Sequence, residues 1–305
     1  MACRSCKRQL LLLVRQANTP LTTELYSAAA LGHRLSHQAP TKHVAHEQRR
    51  GLRSTPARSG LMDNIRKSIQ RSSEPYRVVA ATKEIYDACS KAAPYKIDPI
   101  AIKAGTIPKT SEGEDIGEGA GMWHNEFKLP PTFSTWSQVT MLHMYLVFAR
   151  LRNLDRDSAR SWQAQLVDHF FFDAEERMDL SHGISSRALR GRYLKDLFVQ
   201  WRGLVAAYDE GLAKGDAVLA SAVWRNVFKA REDVNVRDLA ATVSWMRLCL
   251  KMLDQMPDEA LFSRAGTALR WPAKNEYAVV DKPTKQLESQ LASKTAPAGS
   301  ANSGA

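Results

Sequence analysis

The sequence predicts an all-α fold, a single helical bundle domain between a disordered basic leader and a disordered tail. Three observations carry that expectation. Apolar residues recur at helical spacing in one segment after another, no stretch shows the alternation of a half-buried strand, and the least polar run is helical in length. That run, Val139 to Ala149, holds eleven residues without a formal charge, interrupted only by Thr140 and His143. A helix that is apolar all round is buried all round, and the run falls short of the roughly 20 residues that span a bilayer. It is therefore expected to be the central helix of the bundle.

Charge separates the chain into parts. The formal net charge is +11, but residues 1–60 hold ten Lys and Arg (among them Arg4, Arg15, Arg49 and Arg58) against the two acids Glu24 and Glu47. The rest of the chain, with 33 bases and 30 acids, is nearly neutral. An Arg-rich, Ser/Thr-containing, acid-poor leader has the composition of a mitochondrial transit peptide. A secretory signal is excluded because the apolar run Leu10 to Val14 is too short for the ~7 to 15 residues such a signal carries. The four cysteines make no disulfide framework. Cys3 and Cys6 form a lone C-x-x-C, short of the four ligands a structural zinc takes. The expected organisation is leader and linker over 1–60, helical domain over 61–270, and flexible tail over 271–305.

The helices follow in order. A short basic helix is expected over Leu61 to Gln70. A firmer one is expected over Pro75 to Ala93, with Val78, Val79, Thr82, Ile85, Tyr86 and Cys89 at helical spacing, Pro75 in its first turn and Pro94 ending it. Residues 95–131 are punctuated by prolines. Their Gly117, Gly119 and Gly121 invite a phosphate-loop reading, but the spacing is wrong and Glu112, Glu114, Asp115 and Glu118 would repel phosphate. A mobile acidic surface loop is the expectation there.

After the central helix, Trp162, Leu166, Phe170, Ala174 and Met178 trace a stripe, with Asp157 or Ser158 as the expected N-cap. From Arg187 to Lys214 a long helix carries Leu189, Leu197, Trp201, Leu204 and Tyr208 on one face. Gly215 is expected in a left-handed conformation as its stop, with Asp216 capping the next helix. That next helix carries Leu219, Val223 and Val227. Asn235 with Asp238 resembles a capping box, opening a helix that Pro257 closes.

Several side chains are candidates for chemistry or contact. His143 and His169, with Asp168 and Asp173, suggest a metal- or haem-binding enzyme, but di-metal carboxylate bundles use Glu-x-x-His, and neither helix has it. His143 is expected to be a hydrogen-bonded core histidine, with the acids pairing with Arg177. On the long helix, Arg192, Lys195 and Arg202 fall on the face opposite the apolar stripe, at about 100° per residue. They suit an acidic partner or, in a rival reading, a directly RNA-bound translational activator. The nearly neutral body argues against direct RNA binding. Trp136, Trp162, Trp201 and Trp224 are large enough to give apolar contact to a client, although core packing is the default for each. Trp224 is expected to pack, and Arg225 to pair with Asp209 or Glu210.

Three segments resemble the ubiquinol-cytochrome c chaperone family in its fungal mitochondrial form. They are LPPTFSTWSQVTMLHMYLVFARLR (129–152), LVDHFFFDAEERM (166–178) and RYLKDLFVQWRGLVAAYDEGLAKGDAVLASAVWRNVF (192–228), the last with AYDEGL, GD and WRN in order. The resemblance implies an all-helical assembly factor of respiratory complex III, not an enzyme, acting at the matrix side of the mitochondrial inner membrane as a peripheral protein. It further implies a small helical partner protein, newly made cytochrome b as client near the mitochondrial ribosome, and support of cytochrome b translation. It names no catalytic residue, cofactor or metal. The candidate contact residues are Trp136, Arg192, Lys195, Arg202, Trp224 and Arg225.

Overall fold

The computed structural model describes residues 76–283. The leader with Cys3 and Cys6, the helix expected over Leu61 to Gln70, Pro75, and the chain from 284 onward lie outside the described residues. Within them the elements run α1 (76–90), β1 (Tyr95–Lys96), α2 (Pro99–Ala104), β2 (Glu118–Gly119), α3 (Met122–Asn125) and α4 (Phe133–Leu151). There follow α5 (Arg156–Leu180), α6 (Arg187–Lys214), α7 (Asp216–Asn226), α8 (Val236–Asp254) and α9 (Asp258–Leu269). A 3-10 turn (Ala273–Glu276) and α10 (Tyr277–Val280) complete them. The fold is all-α, as the periodicity predicts.

Helix α4 is the axis. It starts where Thr132 accepts a hydrogen bond from the backbone N–H of Thr135, and Met141, Leu142, Met144, Leu146 and Val147 are wholly buried. Burial of each such side chain contributes about 1.5 to 3 kcal/mol, so Leu142→Ala alone is expected to cost about 2 to 5 kcal/mol. Around this axis α4 contacts α5, α6 and α8, while α6 packs on α7 and α7 on α8. At the far end of α4 the buried Arg150 donates to the carbonyls of Leu253 and Met256 (2.9 and 2.8 Å) and to Asp258 (2.6 Å). This guanidinium joins the Leu253 carbonyl in the last turn of α8 to the Met256 carbonyl beyond it and so ties down the turn into α9.

Local signals placed the long helix correctly at Arg187–Lys214 and mislocated several ends. The cap of α5 is Asp155, whose carboxylate accepts from the N–H groups of Asp157 and Ser158 (3.2 and 3.1 Å); Asp157 and Ser158 lie inside the first turn. Gly215 has positive φ (111°) but extended ψ (174°), so it is a mirror-extended turn and not the left-handed helical cap expected. It is also the N-cap of α7. Asp216 is therefore the first helical residue, and its carboxylate takes Arg247 at 2.9 Å and caps nothing. Asn235 caps α8 by accepting from Arg237 N (2.9 Å), while Asp238 accepts from Tyr277 Oη, so the reciprocal half of the box is missing. Within α1, Val79 is exposed where the stripe expected burial.

The acidic segment is not the mobile loop expected. Strands β1 and β2 pair antiparallel, Tyr95 with Gly119 and Lys96 with Glu118. A Cβ on Gly117 would lie 2.3 Å from the Lys96 carbonyl oxygen, and one on Gly119 2.6 Å from Pro131. These glycines mark close backbone approach. The acids are anchored as well: Glu114 holds Lys229 (2.5 Å), and Asp115 holds Lys109 (3.1 Å) and His182 (2.9 Å). Burial pushes the Asp115 carboxyl up, but hydrogen bonds from His182 and Lys109 outweigh it and hold the group below its usual range.

The tail is a second correction. Trp271 onward was expected to be flexible, yet Ala273 and Glu276 are buried. Glu276 accepts from Ser244 Oγ (2.6 Å) and from the Trp271 indole (3.2 Å), which docks the 3-10 turn on α8. Helix α9, opened by Pro257 and the acids Asp258 and Glu259, was not anticipated.

Candidate interaction surface

The six candidate contact residues part company in the structure. Trp136 is wholly buried: its indole donates to the Ser90 carbonyl (3.2 Å), its ring stacks with Phe170, and Arg177 covers it at 4.2 Å. It cannot touch a client without unfolding, and the same holds for the buried Trp162 and Trp201. Trp224 packs half-buried against the core and donates to the Arg231 carbonyl (2.7 Å), closing the C-terminal turn of α7 with Asn226, whose amide donates to Ala222 O (2.8 Å). The WRN element is thus a helix stop.

Arg225 is exposed and makes no ion pair among the described residues. Its two expected partners are already engaged. Asp209 takes both guanidinium nitrogens of Arg152 (2.8 and 3.0 Å) and the Tyr145 hydroxyl (2.9 Å), while Glu210 takes Lys214 one turn later (2.7 Å). A bidentate fork of this kind outcompetes a third cation.

Arg192, Lys195 and Arg202 remain together, all exposed on the outer face of α6. Their spacing places Val199 among them, at about 100° per residue, and Val199 is 67% exposed. The neighbouring α5 exposes Phe172 and Leu180. None of the three cations has an ion-pair partner among the described residues, in contrast to Arg190 two residues before Arg192, which is held by Glu175, Asp179 and the carbonyls of Ile184 and Ser185. Charges that fold against acids are structural; charges left unpaired beside exposed apolar side chains are available for contact.

Behind this face, Gly211 of the AYDEGL element lets α6 and α7 approach: a Cβ there would lie 2.6 Å from Leu219 Cα. The glycine and the GD turn therefore build the α6–α7 hairpin that holds the basic face rigid.

The two histidines do not meet in a shared centre. His143 Nδ1 lies 2.8 Å from the Val139 carbonyl, and burial lowers its pKa to about 4. His169 Nε2 lies 3.1 Å from Thr82 Oγ1, and Asp173 is occupied by Tyr86 Oη (2.5 Å) and Arg177 (2.8 Å). Among the described residues no three His, Cys, Asp or Glu side chains converge in a way that could hold a metal ion. Asp173 does pair with Arg177 as expected, but half-buried, and Glu175 turns to Arg190 instead.

The described residues form a helical bundle with an unpaired basic and apolar face on α6. Residues 125–268 match the family model described as ubiquinol-cytochrome C chaperone. Over that span the chain is similar to the ubiquinol-cytochrome c chaperone family. It is 38% identical over 147 residues to "Protein CBP3, mitochondrial" of Saccharomyces cerevisiae, covering 48% of this chain and 44% of the yeast protein. It is 28% identical over 137 residues to "Ubiquinol-cytochrome c reductase complex assembly factor 1" of Mus musculus, covering 44% of each. The chain thus matches less than half the length of these two relatives. A crystal structure of the Cbp3 homolog from Brucella abortus superimposes with a TM-score of 0.47 at 20% identity, covering 66% of this chain and 93% of that one.

Proposed function

We propose that this chain is an assembly chaperone of mitochondrial respiratory complex III. It holds newly synthesised cytochrome b near the mitochondrial ribosome, at the matrix side of the inner membrane, supports cytochrome b translation, and works with a small helical partner. The observation that carries this reading is the family match over residues 125–268, together with relatives named as complex assembly factors. No described helix is long and apolar enough to cross a membrane. Peripheral attachment through the α6 face fits the chemistry of that surface, since cations flanking an exposed apolar side chain favour an anionic membrane surface.

The mechanism is holding without turnover. Exposed apolar side chains (Val199, Phe172, Leu180) cover apolar client surface, and the unpaired Arg192, Lys195 and Arg202 give screened, reversible attraction over a Debye length of about 8 Å. Arg225, exposed at the end of α7, and the half-buried Trp224 are further candidate contacts. The test is cross-linking during mitochondrial translation in cells lacking the protein and complemented with it. Loss is expected to lower cytochrome b and complex III while sparing other respiratory complexes, and cytochrome b is expected to cross-link to the complementing chain. Normal complex III without the protein, or no cross-link, overturns the reading. A steep salt dependence of RNA binding by the purified chain would instead favour a direct RNA contact.

A further inference from the structure

A cavity of about 560 Å³ lies on the side of the bundle where α1 and α9 meet, away from the α6 face. It is within the range of small-ligand sites, ~300 to 1,000 Å³. The two helices touch where a Cβ on Gly266 would come within 2.9 Å of Ala88 Cβ, and the cavity opens beside that contact. Its walls are aromatic and apolar, with Trp123, Trp245, Trp271, Phe262, Ile85 and Met122. Its rim carries two acids, Glu84 and Asp87, and two bases, Lys91 and Arg270, so the mouth has no net charge.

His143 contributes to this cavity and is only 2% exposed. Trp123 and Trp245 flank it, with ring centroids at 5.9 and 4.8 Å. The Val139 carbonyl can only accept, so the imidazole proton sits on Nδ1 and the lone pair on Nε2. Nδ1 is turned to its own helix backbone, which leaves Nε2 as the atom His143 offers the cavity. That nitrogen has no hydrogen-bond partner among the described residues.

We infer that the cavity is a binding site for an uncharged aromatic ring bearing a single hydroxyl or N–H donor, which gives its hydrogen to His143 Nε2 while the ring lies against Phe262 and Trp271, the aromatic walls that present surface. Each half of the ligand follows from one feature. The walls select a ring, the orphan acceptor selects a donor, and the balanced rim selects neither sign of charge. A phenol or an indole meets all three, whether as a free small molecule or as a tyrosine or tryptophan side chain. The inference does not rest on the assembly reading above.

The test uses the purified full chain, titrated with p-cresol, 3-methylindole and, as a donor-free control, toluene. Tryptophan fluorescence and the long-range ¹⁵N signal of His143 Nε2 are followed. The expected result is saturable binding of the two donor ligands at least tenfold tighter than toluene, with a shift of the Nε2 signal. Ser263→Trp, at an exposed wall position, should abolish binding with an unchanged melting temperature. N-acetyl-tyrosinamide then identifies the source: tighter binding than p-cresol indicates a protein side chain, and weaker binding a free small molecule, both within the inferred site. Equal affinity for toluene and p-cresol, no saturation, or an unmoved Nε2 signal overturns the inference, and complex III assembly in cells would be untouched by that failure.

Discussion

Arg177 lies over the ring of Trp136, its guanidinium carbon 4.2 Å from the ring centroid, while its Nε donates to Asp173 (2.8 Å). Asp173 in turn accepts from Tyr86 of α1, whose phenol pKa is raised by burial and by that carboxylate. One planar cation thus joins α1, α4 and α5. Arg177→Ala is expected to destabilise by about 1 to 3 kcal/mol, from a lost half-buried cation–π contact and a stranded carboxylate. Arg177→Lys keeps the charge but not the plane, so it should recover less than half of the loss. Urea melts of the three proteins decide it.

The glycines of α6 and its turn divide cleanly. Gly211→Ala forces a Cβ to within 2.6 Å of the Leu219 backbone and should cost about 1 to 3 kcal/mol. Gly203→Ala meets nothing within 4 Å, in a helix interior, and should stabilise by about 0.5 to 1 kcal/mol. Gly215→Val, at φ 111°, should lose about 1 to 3 kcal/mol through backbone strain alone. Thermal melts that rank the variants otherwise would contradict the α6–α7 hairpin geometry.

Burial holds the His143 pKa at about 4 against an ordinary 6.5. The unfolded chain therefore binds the extra proton first, and stability falls as pH drops from about 6.5 to about 4, by roughly 3 kcal/mol over the whole window. Above pH 6.5 the effect is absent. In His143→Gln the slope of stability against pH should flatten in this window, measured by denaturant midpoints; an unchanged slope assigns the acid sensitivity to carboxylates.

Asp216 and Asn235 test the two helix starts against each other. Asp216→Ala removes an exposed pair with Arg247 and should cost under about 1 kcal/mol, more of it at low salt than at high. Asn235→Ala removes a true cap and should cost about 1 kcal/mol regardless of salt.

Charge reversal of Arg192, Lys195 and Arg202 to Glu should leave the melting temperature within a few degrees, because none is paired in the fold. The same variant should lose sedimentation with anionic vesicles and the cytochrome b cross-link. Retention of both would remove the α6 face from the proposal.

Helical periodicity was enough to read α4, α5, α6 and the α8 stripe, because a buried face repeats over several turns and each turn adds to the signal. Ends were harder. Asp157 and Ser158 have the side chains of caps, yet the backbone turns helical two residues earlier and Asp155 takes that place. The segment around Gly117 and Gly119 was misread because glycine needed for close approach and glycine needed for mobility look alike in sequence, and a two-residue strand leaves no alternation. The 3-10 turn escaped notice since its anchor is one carboxylate, Glu276, bonded to Trp271 just before the turn and to Ser244 of α8, far off in sequence. On the surface, the shared face of Arg192, Lys195 and Arg202 was legible from spacing alone. Core packing, the default for Trp136, holds as well; the prior engagement of Asp209 by Arg152 was not legible, because it depends on a partner distant in sequence.

The clamp at the end of the central helix bears on how a cargo is let go. With Arg150 bonded at once to two carbonyls of the α8–α9 turn and to Asp258, prising the helices apart would strand a buried guanidinium, at about 3 to 5 kcal/mol. On the proposed function, a bundle latched at this end would carry a client on its outer face, and release would come by competition, with a later subunit displacing the chain from a shared patch and no hinge having to move there.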